Sequence, residues 1–179
     1  MKVQSRMKFL LFIVVVFIFL FIYSIIPTKT ALVFYEEHTN NIAAYLPIQK
    51  EQSFQIIFVH SIHLTDVVEK YQVTEENQIK QYEIVFEEFG IGMPSTVEAG
   101  EEFVYEDGKY HIKNLNNLFP SMKIRNGKTV SKHRLLWNDE TGKEHMVYFN
   151  DYFEPGAWFT VKTDKISLLQ SWKEVMIRD

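Results

Sequence analysis

Hydrophobic and polar positions fall into two regimes along the chain. From Phe9 to Ile26 every residue is apolar or aromatic except Ser24, and Pro27 closes the run. Eighteen helical residues span roughly 27 Å at about 1.5 Å each, close to the hydrocarbon thickness of a bilayer. Beyond this run the apolar residues mostly alternate with polar ones. Phe54, Ile56 and Phe58 form one such series, Val67, Tyr71 and Val73 a second, and Tyr82, Ile84 and Phe86 a third. Met146, Tyr148 and Phe159 lie in later aromatic or β-branched stretches. Period two is the mark of half-buried strands.

Turn signals divide the second half. Asp107-Gly108, Asn126-Gly127 and the stretch from Asn138 to Gly142 each sit between apolar runs, which predicts three hairpins. The expected class is all-β, an antiparallel β-sandwich or open barrel behind an N-terminal transmembrane helix. Leu168, Leu169, Trp172, Val175 and Met176 recur at helical spacing, so a short C-terminal helix between Ser167 and Met176 is expected, with a final strand as the alternative.

Composition and charge sharpen the outline. The chain has 179 residues, 15% of them aromatic, enough for one domain with a buried core. It has no cysteine, which excludes disulfides, thiolate metal sites, a Cys nucleophile and a lipoprotein acyl anchor. The net charge is −4, yet Lys2, Arg6 and Lys8 are positive, so the body carries −7. An acidic body lacks the basic face that nucleic acid requires. A cleaved secretory signal has a shorter core, about 7–15 residues, and a small-x-small site, which the stretch from Tyr23 to Ala31 offers only poorly. The expectation is therefore a single-pass plasma-membrane protein. Residues 1–8 form a basic cytoplasmic head, 9–26 a signal anchor and partner of the membrane, and 27–179 an extracytoplasmic β domain.

Candidate chemistry gathers in the stretch His60 to Tyr71. With the hairpin loop at Leu64-Thr65, His60 stands opposite Glu69 on one face, within reach of an imidazole–carboxylate hydrogen bond. Such a pair either closes one end of the sandwich or polarises a ligand, with Ser61 or His63 nearby. Ser61 neighbours His60 and points to the other face, so a hydrolytic triad is disfavoured. His60 and His63 differ in parity, which disfavours a metal site. A second stretch, Phe89 to Ser95, carries Gly90, Gly92 and Pro94 directly after a strand. No helix pattern or Lys-Ser/Thr follows, so it reads as a corner or bulge between sheets rather than a phosphate loop. Glu87, Glu88, Glu98, Glu101 and Glu102 read as solvated faces, and Phe153 and Trp158, beside a Pro-Gly turn, as core. His38, His111, His133 and His145 read as ordinary strand or loop residues.

These stretches resemble the domain of unknown function eighteen-fifty family of small exported or membrane-anchored bacterial proteins. The resemblance is carried by His60, Ser61, Thr65, Val67, Glu69, Tyr71, Gly90, Gly92 and Pro94, with Leu118, Met122, Arg125 and Leu135 in a second half, over roughly residues 31–163. The chain departs at Asp66, where the family often has proline, and at Ile91, often alanine. The resemblance implies association with tripartite, ion-gradient-driven transporters of the TRAP class, especially those with TAXI-type solute receptors for organic acids. It carries no established activity onto residues. The expected function is a non-enzymatic accessory protein with no cofactor, no metal and no catalytic residue. His60, Ser61, Thr65, Glu69, Gly90, Gly92 and Pro94 are the expected ligand or partner contacts. The alternatives are a surface hydrolase using His60 as base with Glu69 orienting it, and a small-acid sensor.

Overall fold

In a computed structural model, which describes residues 2–90 and 92–179, the apolar run folds as one helix, α1 (Lys2–Ile25). Its stretch Met7–Ile25 is long and apolar enough to cross a membrane and is not buried against the rest of the chain. Eleven strands follow among the described residues: β1 (Pro27–Glu36), β2 (Ile42–Pro47), β3 (Ser53–Val59), β4 (Asp66–Val73), β5 (Ile79–Phe86), β6 (Glu102–Glu106), β7 (Lys109–Phe119), β8 (Met122–Arg125), β9 (Arg134–Asn138), β10 (Glu144–Tyr148) and β11 (Trp158–Ser167). A six-residue helix, α2 (Leu168–Lys173), comes after them.

The strands form two antiparallel sheets, ordered β2-β1-β11-β8 and β10-β9-β3-β4-β5-β7-β6, and neither closes into a barrel. Their inner faces meet over a shared core. The small sheet contributes Leu32, Phe34, Leu46, Phe159 and Val161; the large one contributes Phe54, Ile56, Tyr71, Val73, Leu135 and Trp137. Alternation along β3 and β9 follows from this arrangement, because only one face of each strand is fully dry.

β1 and β2 escaped the period-two reading for a physical reason. Leu32 and Phe34 face the core, while Ala31 and Val33 are packed on the other side with Tyr45 and Ile166. A strand dry on both faces presents a continuous apolar run, which periodicity cannot recognise. The outer cover comes from α2, where the Tyr45 hydroxyl donates to the Ser171 carbonyl at 2.8 Å. α2 starts where expected because Ser167 closes a capping box. Its hydroxyl accepts from the Gln170 amide at 3.1 Å, and its own amide donates to the Gln170 side chain at 2.9 Å.

Two of the three expected hairpins are present. Asp107 and Gly108, with φ of 51° and 77°, join β6 to β7, and the Asn138–Gly142 turn joins β9 to β10. Asn126-Gly127 makes none: neither residue adopts positive φ, and β8 pairs with β11 instead. Asn126 is 1% exposed, and its side-chain amide donates to Asn150 Oδ1 at 2.9 Å and to the carbonyls of Phe153 and Glu154 at 3.0 and 3.2 Å. The dipeptide thus ties the loop before β11 to β8.

Removing that amide strands buried carbonyls, each worth about 1–3 kcal/mol. Asn126→Ala is expected to cost about 2–3 kcal/mol, read as a lower thermal midpoint of the full chain in detergent, with Asn117→Ala on the exposed face of β7 as the near-neutral control.

Candidate functional site: a groove between the sheets

Four strands cannot cover seven, so part of the large sheet's inner face must be covered otherwise. There a second apolar cluster forms from Val67, Ile84, Phe86, Ile112 and Leu115, with Phe58, Met93 and Tyr110 packed against it. Phe89 closes over the same region, 5.4 Å from Phe86 and 4.3 Å from Tyr110 between ring centroids. Among the described residues the cover comes from Phe89 and Met93 in the loop after β5, against which the β3–β4 loop rests through His63, rather than from a strand. The Phe89–Ser95 stretch is therefore an excursion within one sheet, since β5 and β6 both flank β7, and not a corner between sheets.

Glu69 sits at the seam between the two clusters. On β4 it is paired with Ile56 of β3 on one side and Ile84 of β5 on the other. Between this seam and the edge strand β8 lies a groove of about 860 Å³, lined by Glu69, Tyr71, His60, His133, β8 and Trp158. Tyr71 lies two residues on from Glu69, hence on the same face, and its hydroxyl donates to Glu69 Oε2 at 2.8 Å. Burial pushes the Glu69 carboxyl up from its ordinary value, and the Tyr71 hydrogen bond only partly offsets this. Burial and the neighbouring carboxylate also push the Tyr71 phenol up, so it stays a donor. His133 lies 5.5 Å from Phe58 and 5.4 Å from Phe149, and burial pushes its pKa down to about 4. Its Nδ1 accepts from the Gly127 amide at 3.2 Å.

The rim has the opposite character. Lys123, Arg125 and Lys128 stand around the mouth, with the Arg125 guanidinium 5.7 Å from the Trp158 ring centre. Trp158 is 44% exposed, not core, whereas its expected companion Phe153 is buried. Among the described residues the β8 backbone pairs only with β11, which leaves one edge open toward the groove.

The motif residues are redistributed by the register. β3 and β4 pair Ile56 with Glu69 and Val59 with Asp66, so the loop is six residues long. His60 lies four positions beyond Glu69's partner, roughly 13 Å along the strand, and the direct His60–Glu69 pairing is overturned. The parity was right, since both residues line the same groove. The loop is longer than expected because it closes on itself. The His60 carbonyl accepts from the Leu64 amide at 2.9 Å, Leu64 takes φ of 59°, and the His60 amide donates to the Thr65 carbonyl at 2.8 Å. His60 Nδ1 receives the amides of Ile62 and His63 at 3.4 and 3.3 Å, the role of a cap. Ser61 is exposed on this loop, and Asp66, where the family often has proline, bonds Arg134.

The two motif stretches do meet, through an unexpected residue. The His63 ring stacks on His60 at 4.8 Å and lies against the Gly90 backbone, where an added Cβ would fall 2.1 Å from Nε2. Gly92 has φ of 88°, a conformation suited to glycine, and Pro94 is half-buried in the same loop. Ile91 lies outside the described residues. Reading the sequence missed Tyr71 as the partner of Glu69, His133 on the groove wall and the basic rim; only Tyr71, at the same parity as Glu69, was recoverable from spacing. Among the described residues no three His, Asp or Glu side chains are grouped to hold a metal ion. A second cavity, of about 960 Å³, lies beside β2 and the segment after α2. Its His145 is engaged by Asp179 at 2.6 Å and Asp139 at 2.9 Å.

The arrangement defines a two-sheet β domain behind an apolar helix that can serve as a single-pass anchor, with a groove at the seam. The chain belongs to the family of the domain of unknown function DUF1850, whose model matches residues 54–143, half of the chain. That segment contains all seven candidate residues and lies within the span of the resemblance. Neither the curated proteins nor the solved structures compared with the chain give a match.

Gly90→Ala forces the His63 ring aside and is expected to cost about 1–3 kcal/mol in thermal or denaturant unfolding; in the His63→Ala background most of that cost should vanish. His133 is neutral in the fold but protonates below about 6.5 when unfolded, so its contribution is complete above pH 6.5 and is lost as pH falls toward 4. Allowing for partial exposure, that loss is on the order of 2 kcal/mol, and His133→Phe should flatten the slope. Glu69 has the opposite sign: its raised pKa disfavours the fold as pH rises above the ordinary carboxyl range, and Glu69→Gln removes that trend.

Proposed function

We propose that the chain is a non-enzymatic accessory protein of a TRAP-type transporter for organic acids. α1 holds it in the plasma membrane, the β domain stands on the extracytoplasmic side, and the groove receives an acidic, extended segment of the transporter or its solute receptor. The observation that carries this reading is the open β8 edge beside a groove with a basic rim, on a domain whose net charge is otherwise negative. An unpaired strand edge supplies backbone donors and acceptors for an added strand, and Lys123, Arg125 and Lys128 supply the complementary charge. The three basic residues ahead of α1 favour the cytoplasmic side for that end. The transporter class is drawn from the family resemblance. Tethering raises the effective concentration of the domain at its partner, so a weak contact is sufficient.

A hydrolase reading requires His60 against Glu69, and the ladder sets them apart. Glu69 is instead bonded by Tyr71, while His60 Nδ1 accepts loop amides. These groups hold the walls of the groove in shape.

The test places a photo-crosslinking residue at Lys128 on the rim and, separately, at Tyr105 on the far edge strand β6, in native membranes. Adducts with a transporter subunit or the solute receptor are expected from position 128 and not from 105. Charge reversal by Lys123→Glu with Arg125→Glu should lower both the adduct yield from position 128 and organic-acid uptake about tenfold. Equal adducts at both positions, or uptake indifferent to the reversal, would overturn the proposal.

A further inference from the structure

α1 and β1 are joined with no linker, so whatever pairs with the first residues of β1 lies at the level where the chain leaves the membrane. Nineteen residues from Met7 to Ile25 span roughly 28 Å, enough to fill the hydrocarbon layer and bring Ile25 to its boundary. Pro27 is the antiparallel partner of Ser167, and α2 begins at the next residue. α2 lies beside α1, and the Lys29 ammonium donates to Ser171 Oγ at 3.4 Å.

α2 has a face that the protein leaves uncovered. Trp172 is 81% exposed, Leu169 46% and Val175 just beyond the helix 53%, and no residue of α2 is buried. Such a cluster on an outer domain loses hydrophobic stabilisation unless something apolar covers it. Charge adds a second indication: Lys29, which reaches Ser171, and Lys173, 3.7 Å from Glu174, are exposed at the helix, and Lys165 is exposed on β11 three residues before it. A tryptophan flanked by lysines has an apolar body, one N–H donor and cations for phosphate, which suits the bilayer interface. The helix is about 9 Å long and the polar layer roughly 5–8 Å thick on each side, so its axis stays near that layer in any direction.

We infer that α2 is a second membrane contact, lying in the headgroup layer of the same bilayer that α1 crosses, with Trp172 and Leu169 inserted toward the acyl boundary and the three lysines facing lipid phosphates. The inference rests on α1 being the anchor. The occupant is lipid because α2 itself adjoins α1, whose own surface is bare along its apolar stretch. Lipid packed around α1 is therefore within reach of α2 and its exposed Trp172.

The experiment uses the full chain reconstituted in vesicles of phosphatidylcholine and phosphatidylglycerol. Trp158→Phe removes the other exposed indole and leaves the buried Trp137 as a constant background; subtracting the spectrum of Trp158→Phe with Trp172→Phe isolates Trp172. Flotation with the vesicles, with Trp172 quenched about twofold more by lipids spin-labelled near the headgroup than by those labelled near the chain end, is the expected result. Flotation with Trp172 quenched only by aqueous iodide overturns the second contact while leaving the anchor intact. Absence of flotation overturns both. Replacement of phosphatidylglycerol by phosphatidylcholine should weaken the headgroup quenching of Trp172; an unchanged signal would remove the lysines from the proposal.

Discussion

The domain is governed by a mismatch of widths. Seven strands at about 4.8 Å spacing are roughly 29 Å across and four are roughly 14 Å, so about half of the large sheet's inner face has no opposing sheet. Apolar side chains there must still be dried. The chain does this with the loop after β5, and the close approach of His63 to Gly90 holds the β3–β4 loop against it. Where the small sheet ends and the loops begin, neither surface fits the other closely. The groove is that seam, and Glu69, flanked by Ile56 and Ile84, sits in the gap. A carboxylate between apolar neighbours is costly to bury. Its placement where the cover is incomplete, with a Tyr71 hydroxyl within bonding distance, is how the sheet tolerates it.

The same mismatch explains what could be read in the sequence. Strands with one wet face, such as β3 and β4, announce themselves by alternation, and the Asp107-Gly108 turn by its need for positive φ. β1 and β2 do not, because α2 dries their outer side and turns alternation into an unbroken apolar run. Asn126-Gly127 misled for a related reason: its side chain, not its backbone conformation, had been recruited to hold the loop before β11. A dipeptide is a turn signal only when its backbone dihedrals are the reason for its presence.

The site was legible in parity and illegible in register. Period two placed His60 and Glu69 on one face, and both line the groove. Register depends on where the hairpin reverses, and an extra turn of loop moved the centre by two residues and the pairing by four. The self-capping of His60, with its Nδ1 taking the amides of Ile62 and His63, gives no composition signal of the kind Asn-Gly provides. The basic rim was invisible because Lys123, Arg125 and Lys128 are local in sequence but become a rim only when β8 is a sheet edge.

β11 connects the two ends of the molecule in a way that bears on partners. Ser167 lies opposite Pro27 beside the end of α1, the membrane exit if α1 is the anchor, while Trp158, nine residues away, lies opposite Arg125 at the groove. At about 3.4 Å per residue the groove mouth stands at most roughly 30 Å beyond the exit point. A tether at α1 alone would let the domain tilt, lowering the groove toward the surface or turning it away. The proposed second contact through Trp172 would restrict that freedom, because two attachment points side by side at the Ser167 end of β11 oppose tilting of the strand. With both contacts in place the groove would face a fixed layer above the bilayer. In the proposed function the partner segment is therefore one that projects to this layer, not one that lies flat in the membrane.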